Sequence, residues 1–159
     1  MKITILCVGK IKEKFFRGAI EEYTKRLSRY CKLEIIEVAD EKTPDDAGVG
    51  MERIILEKEG ERLKKHLRDD AFVCALAIDG KQMDSVEFAA KIEAIGTGGG
   101  SHIIFLIGGS LGLSDGLRKR ADLNLSFSAM TFPHQLMRVI LLEQIYRGFR
   151  IIHHEPYHK

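Results

Sequence analysis

The last eight residues, Ile152-His153-His154-Glu155-Pro156-Tyr157-His158-Lys159, hold three of the chain's six histidines beside an aromatic ring and a final lysine. Such groups can transfer a proton, stack on a planar base and contact phosphate, and a segment that merely frays seldom concentrates them. A metal site from His153, His154 and His158 is the competing chemistry. Their spacing fits no standard zinc pattern and no cysteine is near in sequence, so no metal is expected. Cys7 and Cys74 sit inside apolar runs, no C-x-x-C spacing occurs, and the three cysteines read as free thiols, mostly buried.

Two glycine clusters offer further chemistry. Gly96-Thr97-Gly98-Gly99-Gly100 falls one residue short of the dinucleotide fingerprint, because Ser101 stands where the last glycine belongs and the run precedes a strand. It reads as a flexible connector. Ile107-Gly108-Gly109-Ser110-Leu111-Gly112-Leu113 is better placed, at the carboxyl end of an apolar strand, where open α/β sheets bind ligands. Paired glycines there admit a ligand close to the backbone, although an ordinary tight turn explains the pattern equally well. No Gly-Lys-Ser or Gly-Lys-Thr follows a strand, which excludes a Walker A loop.

The elements that must position these groups follow from periodicity. Strands are expected at Lys2 to Val8, Lys32 to Val38, Ala71 to Ile78, His102 to Ile107 and Leu123 to Ser126. Helices are expected over Ile11 to Tyr30, over Met51 to Leu67 with an interruption at Gly60, from a Ser85 cap to Ile95, over Asp115 to Arg120, and from Pro133 to about Ile152. Strand and helix alternate throughout, so the fold class is α/β, a parallel-type sheet covered by helices on both sides. With 159 residues and no repeat, a single domain over 1–159 is expected.

Charge and hydropathy narrow the function. Lys and Arg total 25 against 23 for Asp and Glu, a net charge of +2 that rules out a polybasic binder held by bulk charge. The balance hides a segregation: residues 1–33 carry nine basic and three acidic side chains, residues 34–61 three and ten. Two solvated faces that neutralise each other are the expected outcome. No run reaches the roughly 18 residues of a membrane helix, and Ile3 to Val8 is too short for a signal-peptide core; a cytoplasmic protein is expected. The last helix is apolar around most of its circumference, from Leu136 through Leu142 and Ile145 to Ile152. One face would cover its own sheet and another a second copy, which predicts a homodimer.

At this level of detail the chain resembles, end to end, the SPOUT-class family of methyltransferases that modify N3 of a pseudouridine in bacterial 23S ribosomal RNA. The resemblance is carried by Val8-Gly9-Lys10-Ile11-Lys12-Glu13-Lys14 with Glu21-Glu22-Tyr23, Ile107 to Gly112, Leu125-Ser126-Phe127-Ser128, Met130-Thr131-Phe132-Pro133-His134-Gln135, Met137-Arg138, Glu143-Gln144-Ile145-Tyr146-Arg147 and Glu155-Pro156-Tyr157-His158-Lys159. It implies S-adenosyl-L-methionine as methyl donor, a homodimer, 23S rRNA within the ribosome as partner, and a trefoil knot in the C-terminal half. It also implies a cofactor pocket formed by Leu76, Gly108 and Phe127, Ser128, Ala129, Met130, Thr131 and Phe132. Substrate-side and catalytic groups would be His134, Arg138, Tyr157, His158 and Lys159. Ala129 stands where close relatives often carry Lys, and His153-His154 replaces an Arg-Gly pair. Two other readings stand beside this one: a ribosome-binding module without catalysis, and a flavodoxin-like enzyme for phosphoryl ligands.

Overall fold

The computed structural model describes residues 1–159. Five strands, β1 (Lys2–Val8), β2 (Lys32–Val38), β3 (Phe72–Gln82), β4 (His102–Ile107) and β5 (Leu123–Ser126), alternate with five helices. These are α1 (Lys14–Leu27), α2 (Val49–Lys64), α3 (Ser85–Thr97), α4 (Asp115–Arg120) and α5 (His134–Ile152). Every strand pairing is parallel and the order across the sheet is β2-β1-β4-β3-β5. The apolar runs of β1 and β4 are explained by burial on both faces. Ile3, Ile5 and Cys7 with Ile103, Phe105 and Ile107 meet Leu27, Phe88, Ile92, Leu141, Leu142, Ile145 and Phe149 from α1, α3 and α5. Leu6, Val8, Ile104 and Leu106 face the other way, onto Leu63 of α2 and Leu117 of α4.

Several expected boundaries shift for local reasons. Residues 10–13 stay outside α1. α2 runs through Gly60 without interruption; a Cβ there would lie 2.9 Å from Ser114 Oγ, so this glycine lets α2 approach the start of α4. The cap of α3 is Asp84, not Ser85. Asp84 Oδ1 accepts from the Glu87 N–H at 2.8 Å while Glu87 Oε2 accepts from the Asp84 N–H at 2.8 Å, a reciprocal capping box. Ser85 Oγ instead donates to Gln144 Oε1 of α5 at 2.7 Å. Pro133 is the residue before α5 rather than its first helical position.

β3 continues past Ile78 to Gln82, with a register break against β5 between Leu76 and Lys81. Ser126 Oγ ties β5 to this extension by donating to the Ile78 carbonyl at 2.7 Å. The final connection then leaves the edge strand β5 and crosses the carboxyl ends of β3 and β4. It delivers His134 to the end of β1, where its Cε1 would stand 3.4 Å from a Cβ built on Gly9. Gly96–Gly100 lies at the opposite, amino end of β4, where α3 absorbs its first two residues. Lys2–Glu34, at 2.7 Å, is the one ion pair that joins the two oppositely charged segments. No helix is long and apolar enough to cross a membrane.

Candidate active site

Because the strands are parallel, their carboxyl ends open on one side. There a cleft of about 620 Å³ is walled by residues 76–78 of β3, 107–112 after β4, and Leu125, Phe127, Ser128 and 130–134 after β5, with Met137 of α5. That volume lies in the usual range of small-molecule sites, about 300–1,000 Å³. The glycine turn is built to close on itself: a Cβ at Gly108 would lie 2.2 Å from the Gly112 carbonyl oxygen, and Gly112 has φ +82°. The β5–α5 connection makes few bonds of its own. No acceptor within the chain takes the backbone N–H of Phe127, Ala129, Thr131 or Phe132. Apolar walls with a fringe of free donors suit a ligand that has both an apolar body and polar edges.

Of the expected pocket residues, Leu76, Gly108, Phe127, Ser128, Met130, Thr131 and Phe132 line the cleft. Ala129 does not; it is exposed outside the wall. Sequence reasoning missed Ala77, Ile78, Pro133 and Met137, whose contribution depends on the β3 extension and on how the chain crosses it.

His134 lines the cleft at the start of α5. Burial, with the Arg138 charge second and against the opposing effect of Asp40, holds its pKa below the ordinary histidine value. The imidazole is therefore neutral near pH 7, with a nitrogen able to accept a proton, and its Nδ1 is buried without a partner.

Arg138, one turn on, is 1% exposed and committed inward. Its Nη1 donates to Glu37 Oε2 at 2.5 Å, and its Nη2 to the carbonyls of Gly9 at 2.6 Å and Val8 at 3.1 Å. It fastens the end of β1 to α5, and no part of the guanidinium faces solvent where a phosphate would approach.

Of the acidic residues read from sequence as a solvated face, Glu37 keeps about a third of its side-chain exposure while gripped by Arg138, and Glu59 is internal. Glu59, 4% exposed, accepts the Glu41 N–H at 2.9 Å, and burial raises its pKa.

Tyr157, His158 and Lys159 are not brought to the cleft by their own chain. The Tyr157 hydroxyl donates to Glu143 Oε1 at 3.1 Å, its ring stands edge-on to Tyr146 at 4.9 Å, and Arg147 lies over it at 4.7 Å. Burial, then Glu143, pushes the phenol up to about 12, so it stays protonated. His158 Nδ1 lies 3.3 Å from Arg147 Nη1, and Lys159 is exposed without an ion pair. Glu155 accepts from the Tyr30 hydroxyl and from Arg150 Nη1, the latter at 2.5 Å, which clamps the start of the tail. Nine helical steps carry the chain from His134 to Glu143, roughly 14 Å along the axis. The cysteines take no part in either region: burial pushes Cys7 and Cys74 up to about 12 and Cys31 up to about 11.

The family described as "Predicted SPOUT methyltransferase" matches residues 1–158. The chain is 67% identical over 159 residues to "Ribosomal RNA large subunit methyltransferase H" of Bifidobacterium adolescentis, and 61% identical to the protein of that name from Clostridium botulinum, with all of each chain covered. The chain belongs to the SPOUT methyltransferase family. A solved structure of a probable methylase family protein from Haemophilus influenzae Rd KW20 superposes with a TM-score of 0.57 over 99% of this chain and 70% of that one. At 13% identity that likeness speaks for the fold alone. A SPOUT methyltransferase needs a methyl donor, and the cleft is of a size that holds a small molecule.

Proposed function

We propose that this SPOUT methyltransferase transfers a methyl group from S-adenosyl-L-methionine to N3 of a pseudouridine in 23S ribosomal RNA. The observation that carries the reading is full-length identity of 67% to a protein named as a large-subunit rRNA methyltransferase, in a chain whose ligand-sized cleft lies at the strand ends. The reading includes a cytoplasmic homodimer acting on the ribosome. It also includes the trefoil knot, to which the register-broken β3 extension and the connection crossing it are suited.

When bound, the donor supplies an electrophilic methyl on a sulfonium. The chain's own work is placement and proton handling. The free N–H groups of Phe127, Thr131 and Phe132 and the glycine turn would hold the donor's polar edges, and Leu76, Ile78 and Met137 its apolar body. The imide N3–H of pseudouridine must lose its proton for nitrogen to attack. Neutral His134 is the group in the cleft able to accept it. Arg138 acts as a positioning residue, holding the Val8–Gly9 carbonyls under His134.

Tyr157, His158 and Lys159 enter the reading through a second copy. On α5, Leu136, Val139, Ile140 and Ile151 belong to neither core cluster, and at 100° per residue they form one stripe with Glu143 and Arg147, on which the tail rests. Pairing two such stripes would present each tail to the partner's cleft. Stacking by Tyr157, and cationic stabilisation of the N3 anion by Lys159, would then come from across the dimer.

Calorimetric titration with S-adenosylhomocysteine, followed by mass analysis of rRNA from treated bacterial ribosomes, tests the reading. Saturable binding and a single methyl gain on one pseudouridine are expected. Ribosome binding without the nucleoside ligand would replace it with a non-catalytic module, and binding of phosphoryl ligands instead would favour a flavodoxin-like enzyme.

A further inference from the structure

The corner between β1 and α1 gathers exposed cations around an exposed ring. Lys10, Lys12, Lys14 and Arg17 are exposed around Phe15, whose side chain in the first turn of α1 is 70% exposed. The Phe15 ring lies 4.5 Å from that of Phe16. None of the four cations forms an ion pair. Arg17 turns back to donate to the carbonyls of Ile11 at 3.2 Å and Lys12 at 2.9 Å, which closes residues 10–13 against the helix. Glu13, the only carboxylate in the stretch, is half-buried with Oε2 turned inward and unpartnered.

The corner is also fastened to the cleft. The Ile11 N–H donates to Glu37 Oε2 at 3.2 Å, the same oxygen that Arg138 grips, and Arg138 holds the Gly9 carbonyl. His134 stands over Gly9. Whatever sits on the corner is registered against the cleft through packed, hydrogen-bonded groups.

An exposed aromatic ring, backed by the half-buried Phe16, among uncompensated cations matches unpaired nucleic acid, which offers a base face for the ring and phosphates for the charges. A lipid surface would want a broad apolar face. Beyond Phe15 and Phe16 the larger apolar residues of α1, Ile20, Tyr23 and Leu27, point into the core instead, so the exposed apolar area is small. We infer that the β1–α1 corner is an RNA-docking surface, in which Phe15 stacks on an unpaired base near the target nucleotide while Lys10, Lys12 and Lys14 contact adjacent phosphates. The inference rests on the RNA-substrate reading above and adds the surface that seats the RNA.

Pelleting with salt-washed bacterial ribosomes lacking the N3 methyl group tests it, over a series of salt concentrations. Phe15→Ala should weaken binding about tenfold with little change in salt slope, and Phe15→Tyr should restore it. The combined Lys10→Gln, Lys12→Gln, Lys14→Gln variant should lower the slope of log affinity against log salt by about 2. Titration with S-adenosylhomocysteine should be unchanged in all of them. Ribosome binding by both sets of variants equal to that of the unmutated protein would overturn the inference. So would unmutated protein binding phosphatidylglycerol vesicles through these residues while ribosome binding ignores them. A protein that binds S-adenosylhomocysteine but no ribosome would overturn the substrate reading itself, a distinct outcome.

Discussion

At the amino end of α5, His134 faces a cleft with a buried, partnerless Nδ1 and a ring of unused backbone donors nearby. At the carboxyl end, Glu143, Arg147, Tyr157, Arg150, Glu155 and Tyr30 are closed into hydrogen bonds and ring contacts. Both ends are rich in groups that could do chemistry. Buried polar atoms without partners are rare and call for an explanation, and a ligand that completes them is one. A network in which Arg150 Nε alone lacks a partner, by contrast, fixes a segment in place. The amino end is thus shaped for a ligand, and the carboxyl end holds the tail groups ready on the outer face of the helix. In the proposed reading one chain supplies each half of the site, at a separation that its own tail does not bridge.

The strongest break of that comparison separates the halves genetically. Deleting residues 155–159 should leave S-adenosylhomocysteine binding intact and lower methylation at least a hundredfold, about 2.7 kcal/mol of transition-state stabilisation. Ala77→Trp, which fills the cleft beside β3, should abolish binding and methylation. Gly108 is a poorer choice for this test, because any Cβ there strikes the Gly112 backbone and deforms the turn itself. After subunit exchange between the two inactive variants, half the dimers are mixed and each holds one complete site if the tail works across the interface. Activity should then return to about a quarter of the unmutated level. No recovery after demonstrated exchange would place the tail at its own chain's cleft.

The two ends also differ in how far they could be read from sequence. Strand positions and the ligand-capable turn at 107–112 were legible, because apolar runs bounded by glycine report double-sided burial and strand ends directly. The site beyond the turn was not. Ala77 and Ile78 line the cleft because β3 extends across β5 after a register break, and nothing in local periodicity signals such a crossing. Arg138, a cation in an apolar helix, is equally compatible with gripping phosphate or with bracing Glu37; only tertiary placement decides. The apolar residues of α5 likewise look alike in sequence. Leu142 and Ile145 are fully buried in their own core, whereas Val139 and Ile140 lie outside it.

That distinction gives the second prediction. Ile140→Asp should convert a dimer to a folded monomer by light scattering, with circular dichroism retained, because in the proposed dimer its charge would meet the partner and not the core. Leu142→Asp should unfold the chain instead, since an unpaired charge in the core costs several kcal/mol. A folded Ile140→Asp dimer would remove the stripe from the interface.

Third comes the brace itself. Arg138→Met would strand Glu37 and two carbonyls, and because Glu37 keeps about a third of its exposure, the loss should be near 2 kcal/mol, below that of a fully buried pair. Arg138→Lys should recover only part of it, because an ammonium cannot reproduce the fork that reaches Glu37, Val8 and Gly9 together. Urea midpoints report both values. If the brace positions His134, methylation by Arg138→Lys should also fall while S-adenosylhomocysteine affinity holds.

The smallest effect is a pH dependence that should set the cleft end of α5 apart from the tail end. His134 at the cleft and His102 at the far end of β4, where its Nε2 lies 2.8 Å from Thr4 Oγ1, both have pKa values held down, first by burial and then by nearby cations. The unfolded chain therefore takes up protons near the ordinary value of about 6.5 while the folded chain still resists them. Stability from these groups is complete above that value, declines as pH falls toward their lowered values, and levels off beneath them. Urea titrations between about pH 5 and 8 should show the decline, and His134→Gln should remove part of it. Methylation should show an acid limb below the ordinary histidine value if His134 takes the N3 proton. Tyr157, pushed up to about 12, gives no limb in that range. An acid limb that survives His134→Gln would move the proton acceptor away from the cleft end of α5.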